Sequence, residues 1–147
     1  MPILATATLI SIGMVSCSTG NNQNNTNTPV ATAENTMLDG SKWTIVLLND
    51  SQLIAGSTIT LFFENGTARG SAGINLYGGK YVVEPPDKLN FSNGVSTTLG
   101  GPADIIRQEQ TYLGNINESA FYRFNNNRLE IYNTANRRLL VFARLSE

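Results

Sequence analysis

From Trp43 to Arg144 the chain is a succession of short segments rich in β-branched and aromatic residues, separated by Asn, Gly, Pro and Asp. Ile59, Leu61 and Phe63 fall on one side of a two-residue period with Thr58, Thr60 and Phe62 on the other, and Leu129 and Ile131 alternate with polar neighbours in the same way. Successive side chains of a strand point to opposite faces, so this period predicts a sheet with one face on a core. The segments that read as strands are Trp43 to Leu48, Ser57 to Glu64, Thr67 to Ala72, Gly79 to Val83, Lys88 to Phe91, Ala120 to Phe124, Arg128 to Tyr132 and Arg138 to Arg144. Asn65-Gly66 supplies the positive φ angles of a two-residue hairpin turn and so pairs the second segment with the third. Asn125 to Asn127 and Asn133 to Asn136 join the last three into a meander.

One stretch breaks the strand pattern. Pro102 suits a first helical turn, Ile105, Ile106, Tyr112 and Leu113 recur at helical spacing, and Gly114 reads as a terminator. Together they predict a helix of about three turns following Gly100-Gly101. At about 100° per residue Glu109 lies in the middle of that stripe, so a carboxylate is expected to face the core.

Upstream, Ile3 to Val15 is an uncharged apolar run. It falls short of the roughly 20 residues a membrane-spanning helix needs but suits the hydrophobic region of a signal peptide. Met14-Val15-Ser16-Cys17 resembles a lipobox, and Cys17 is the one cysteine of the chain. These features predict a signal peptide over 1–17, an acylated Cys17 as the first mature residue, an Asn/Thr-rich linker over 18–36 and a folded domain over 37–147. The expected location is the cell envelope, lipid-anchored and facing periplasm or exterior, with free secretion as the alternative. The linker carries too little apolar surface to offset the entropy of ordering itself. With Cys17 acylated the mature chain has no second thiol to pair, and stability must come from packing.

Charge and residue types narrow the chemistry. Lys and Arg number 10, Asp and Glu 11, and no basic cluster exceeds Arg137-Arg138, so nucleic acid is not an expected partner. There is no histidine. Ser/His/Asp and Cys/His catalysis and His-based zinc sites are therefore excluded, and neither a metal nor a cofactor is expected. Glu109 remains as a buried carboxylate that could serve as a general acid, but Asp104 lies about 140° away on the wheel and offers it no partner. The structural alternative has Glu109 accepting hydrogen bonds from backbone N–H groups of the Gly73 to Asn75 loop, or pairing with an arginine such as Arg69 or Arg144. The segment Gly70 to Gly79 lacks the Gly-Lys-Ser/Thr ending of a phosphate loop. Gly70 and Gly73 read instead as permitting a bulge or bend, with Asn75 bonded within its own turn. Trp43 is expected to anchor the core beside the helix, and Tyr77, Tyr81 and Tyr122 are candidate exposed aromatics along a groove.

Leu38-Asp39-Gly40-Ser41-Lys42-Trp43, the Gly70-Ser71-Ala72-Gly73-Ile74-Asn75-Leu76-Tyr77 stretch with Tyr81, Ser96-Thr97-Thr98-Leu99, Glu109-Gln110-Thr111-Tyr112-Leu113 and Leu139-Leu140-Val141-Phe142 together resemble the META domain of HslJ-like bacterial envelope proteins. The resemblance covers about Leu38 to Leu145. It implies an α+β, mainly β domain: a strongly bent antiparallel sheet, cracked-barrel-like, packed around a single α-helix. It also marks Trp43, Gly70, Gly73, Asn75, Tyr77, Tyr81, Thr97, Glu109, Leu113 and Phe142 as motif residues with structural or binding roles. Many relatives carry one cysteine at the position of Ile74 and another near Gly100-Gly101-Pro102; both are absent here. The implied function is a non-enzymatic, membrane-tethered binding or stress-response module of the envelope. A pilot-like carrier holding a lipid or amphipathic peptide in the sheet opening is the alternative, and a hydrolase using Glu109 the third. The implied partners are the membrane, through Cys17, and an envelope protein or lipid.

Overall fold

Eight antiparallel strands close into a barrel in chain order in the computed structural model, which describes residues 37–146. The strands are β1 (Lys42–Leu48), β2 (Thr60–Glu64), β3 (Thr67–Ser71), β4 (Leu76–Glu84), β5 (Lys88–Ser96), β6 (Phe121–Asn125), β7 (Arg128–Tyr132) and β8 (Arg138–Arg144), with helix α1 (Ala103–Asn117) between β5 and β6. The expected mainly β architecture with one helix is what the chain adopts. Cys17 and the 18–36 linker lie outside the described residues.

The turns follow from the Asn-rich dipeptides. Asn65 and Gly66 take φ angles of 50° and 74°, and Asn126 and Asn127 take 46° and 62°, the left-handed pair that a two-residue hairpin with native twist requires. Asn49 and Asp50 do the same beyond β1, at 49° and 60°, where Leu48 bridges Ser51. Inside, Leu61, Leu89, Leu129, Ile131, Leu139 and Phe142 are fully buried, so the barrel is filled by side chains.

Two junctions complete the ring. β1 and β8 are matched from Trp43↔Arg144 to Leu48↔Leu140, with one irregularity between Ile45 and Leu47. β5 and β6 share the single pair Lys88↔Phe121. Beyond that pair β6 runs away from β5, and the C-terminal part of β5 looks across at α1.

Several boundaries differ from the sequence expectation. β2 begins at Thr60, because Ser57 is turned into the loop, where its N–H and hydroxyl bond the Ile54 carbonyl and its hydroxyl accepts from Gln108. β4 starts at Leu76 rather than Gly79 and takes in Gly78 and Gly79, and β5 continues past Phe91 to Ser96 and takes in Gly94. Those glycines serve a bulge: the β4–β5 register shifts between Gly78 and Lys80, and a Cβ on Gly79 would lie 2.8 Å from the Ser92 carbonyl oxygen. Gly114 does not end the helix. The next residues, Asn115 and Ile116, are buried, which holds the last turn in place, and the Glu118 N–H closes on the Gly114 carbonyl at 3.0 Å.

The buried face of α1 is also turned from the predicted stripe. Gln108, Glu109, Tyr112, Asn115 and Ile116 are buried, while Ile105, Ile106 and Leu113 are half-buried. The polar members earn their place by hydrogen bonding. Gln108 accepts from the Ile54 N–H at 2.7 Å and donates to the Ser57 hydroxyl at 2.8 Å, and Asn115 donates to the Asn49 side chain at 3.0 Å.

Candidate functional site

The densest polar cluster is built on Glu109, which is 5% exposed. Its Oε2 accepts from the backbone N–H groups of Ile74 at 3.1 Å and Asn75 at 2.8 Å, and its Oε1 accepts from the Asn75 side-chain amide at 2.6 Å. The donors are those of the loop, not a guanidinium: Arg69 pairs with Glu64 at 2.6 Å, and Arg144 lies over the Trp43 ring at 5.6 Å. Asn75 does not bond within its own turn as expected. The Ala72 N–H closes that turn on the Asn75 carbonyl, which frees the side chain to reach across. Asn75 Oδ1 accepts from the Leu99 N–H at 2.6 Å and the Thr97 hydroxyl at 2.8 Å, and Thr97 Oγ1 in turn accepts from the Leu76 N–H at 3.1 Å.

Backbone geometry makes the cluster possible. Gly73 sits at φ 135°, and its absent Cβ leaves room beside Ile105 and Glu109. Gly70 allows β3 to approach β2 so closely that a Cβ there would lie 2.0 Å from the Thr60 carbonyl oxygen. Ile74 lies against Gly101, where a Cβ would come within 2.0 Å of its Cδ1. The two places where the family resemblance implies cysteines in relatives are thus neighbours in space, and here a branched apolar side chain rests on a glycine. The network ties the β3–β4 loop, the segment after β5 and the helix into one unit.

The tyrosines are not exposed, contrary to expectation. Tyr77, Tyr81 and Tyr122 are buried, because each ring fills the barrel interior. The Tyr77 hydroxyl donates to the Thr60 carbonyl at 2.9 Å and so accepts from the Tyr112 hydroxyl at 2.6 Å, with the two rings edge to face. Burial pushes the Tyr77 hydroxyl well above the usual tyrosine range; Tyr112 is raised by burial and by Tyr77. Tyr81 is pushed up to about 12 by burial and by Asp39, to which it donates at 3.2 Å. Trp43 donates to the Ser41 hydroxyl at 2.6 Å, and its ring neighbour is Phe124 of β6. The ring partners of the helix are Tyr77 and Phe142, both against Tyr112.

Where β6 leaves β5, a cleft of about 200 Å³ opens. The sheet side is formed by Ala68, Tyr77, Gly78, Gly79 and Phe91, with Ser92, Gly94, Val95 and Ser96 of β5; the helix side is formed by Leu113, Ile116 and Asn117. None of these residues carries a charge. Val95 at its rim is 74% exposed and Leu76 nearby 63%. Of the motif residues, Tyr77 and Leu113 line the cleft, whereas Gly73, Asn75, Thr97 and Glu109 belong to the polar cluster above it. No local pattern announces the cleft, since it arises from two strands that fail to pair over most of their length.

The META domain pattern matches residues 36–146. Among solved structures the chain is similar to a protein from Burkholderia xenovorans determined by NMR, with 21% identity, TM-score 0.61, and coverage of 94% of this chain and 100% of the other. A second protein determined by NMR aligns at 14% identity and TM-score 0.59, over 74% of this chain and 92% of its own. A DUF4847 family protein from Bacteroides vulgatus aligns at 15% identity and TM-score 0.56, over 76% and 97%. At these identities the likeness is one of fold. No curated protein matches the chain. The domain-wide match, over the strands and helix just described, makes this chain a member of the META domain family.

Proposed function

We propose that the protein is a non-catalytic binding module of the cell envelope, tethered by an acylated Cys17, that takes an apolar or amphipathic ligand in the cleft between β5 and α1. The observation that carries this reading is the cleft itself: an opening walled by Phe91, Leu113 and Ile116, with an uncharged lining, at the junction where the barrel is held by one residue pair. Glu109, the residue a hydrolase would call on, lies outside that lining and has both oxygens engaged by donors at 2.6–3.1 Å. This supports giving it the role of a strut. A part in the envelope stress response is what the family resemblance implies.

The test is to recover the full chain from membranes and identify what co-purifies by mass spectrometry, with Gly94→Trp as the comparison. Gly94 lines the cleft and a Cβ there meets no atom within 4 Å, so a large side chain at this position starts from open space. A ligand present in the wild type and lost in Gly94→Trp is the expected result; identical co-purification would sink the cleft as its place. In the same preparations Cys17→Ser should leave uncleaved precursor or move the protein out of the detergent phase. A wild-type protein recovered wholly soluble with a free Cys17 thiol would rule out the tether.

A further inference from the structure

Resting on the reading of the cleft as a binding site, we propose that its ligand is an uncharged peptide in extended form, added as a strand to the open edge of β5. The argument begins with backbone direction. In an antiparallel pair, residues alternate between exchanging N–H···O bonds with the partner strand and turning both N–H and C=O away from it. The Leu89 N–H bonds the Ala120 carbonyl at 3.0 Å, on the side away from β4. Two residues on, Phe91 therefore turns its N–H and C=O to that same side, and the Tyr81 opposite it sends its own N–H to Gly66 of the β2–β3 turn. At the far end the Thr97 N–H bonds the Leu76 carbonyl at 2.9 Å, so Ser96, one residue earlier, again faces away from β4.

Phe91 and Ser96 thus direct backbone donors and acceptors into the cleft, and among the described residues no other element pairs with them. An unpaired edge of this kind is a template for a further strand. An acyl chain would leave those groups without partners; a peptide backbone supplies them. The lining selects the occupant further. With no charged side chain among the residues of the cleft, a charged segment would lose its hydration against Phe91, Leu113 and Ile116 with nothing to compensate.

The experiment uses the full chain and two probes: an acetylated, amidated octapeptide of alternating Thr and Val, and monomeric lysophosphatidylcholine below its micelle concentration. Amide hydrogen exchange and methyl chemical shifts are followed by NMR. The peptide should slow exchange at Phe91 and Ser96 at least tenfold, and the protection should vanish in Gly94→Trp and weaken when Lys replaces Thr in the peptide. If the lipid shifts the Leu113 and Ile116 methyl groups while the peptide leaves the amides unprotected, strand addition is wrong and the cleft remains a binding site. If neither probe perturbs the cleft, both readings fall. Peptide protection confined to other strands would also overturn the proposal.

Discussion

The β1–β8 and β5–β6 junctions close the same ring by different means. At the first, a run of paired backbone groups extends from Trp43↔Arg144 to Leu48↔Leu140, over the buried rings of Trp43 and Phe142. At the second there is one pair, and α1 stands where the ladder stops, held by Glu109 to the β3–β4 loop and by Gln108 and Asn115 to the loop after β1. Side-chain hydrogen bonds across a helix thus do at one junction what a strand ladder does at the other. The difference has a functional edge: a ladder leaves no backbone group free, whereas a helix propped away from a strand leaves a cleft.

The sharpest way to break this contrast is at the laddered junction. Phe142→Ala removes a fully buried ring that lies 6.4 Å from the ring of Tyr112, and should lower the free energy of unfolding by about 3–5 kcal/mol in denaturant titrations. A loss near zero would mean that the ring is not part of what fastens β8. The next test adds a fastening on the helix side. Ile74→Cys with Gly101→Cys places two thiols at positions already in contact; an oxidised bridge closing a loop of roughly 27 residues should stabilise the domain by about 3.5 kcal/mol, less any strain and lost packing. Melting temperatures with and without reductant report it. A pair that never oxidises, or oxidises with no gain, would mean that the segment after β5 is not fixed against the β3–β4 loop.

Glu109 itself tests whether hydrogen bonds hold the helix side. Glu109→Ala orphans the Ile74 and Asn75 donors and should cost about 1–3 kcal/mol, with Glu109→Gln costing less because its side-chain oxygen still accepts. Urea unfolding of both variants at neutral pH decides the order; equal stability of all three proteins would remove the strut. The smallest effect belongs to the tyrosines. Tyr77 and Tyr112 have folded-state values raised by burial above the ordinary value near 10. Their contribution is complete below about pH 10 and is lost as pH rises, because the unfolded chain ionises first; each costs at most about 1.4 kcal/mol per pH unit. Tyr77→Phe should flatten the alkaline slope measured by urea unfolding at stepped pH, and an unchanged slope would contradict the assignment.

What could be read from the chain was what is local. The Asn65-Gly66 and Asn126-Asn127 turns and the alternation in Ile59 to Phe63 were legible because each is decided by neighbouring residues. Glu109 could be placed on a core-facing side by helical geometry alone. The reach of Asn75 to Thr97 and Leu99 could not, since nothing near Asn75 indicates which distant backbone will meet it. The extension of β5 beyond Phe91 to Ser96 could not either, because the register shift between Gly78 and Lys80 that carries it is a property of two strands together and not of either segment alone. The helix stripe was misjudged because Gln108 and Asn115 become core residues only when Ile54, Ser57 and Asn49 arrive to satisfy them.

The chain-order arrangement of the strands has a kinetic consequence. Every antiparallel pair except β1–β8 joins strands adjacent in sequence, and all but β5–β6 and β1–β2 do so through short turns. Hairpins of that kind form within microseconds, but bringing the two ends of the domain together carries a loop-closure entropy about 2.5 kcal/mol larger than closing a tight turn. On this loop-closure argument, mating of β8 with β1 is expected to be the late event. Substitutions at the hairpin turns should therefore act on the folding rate, while those where the ends meet should act chiefly on how fast the domain comes apart.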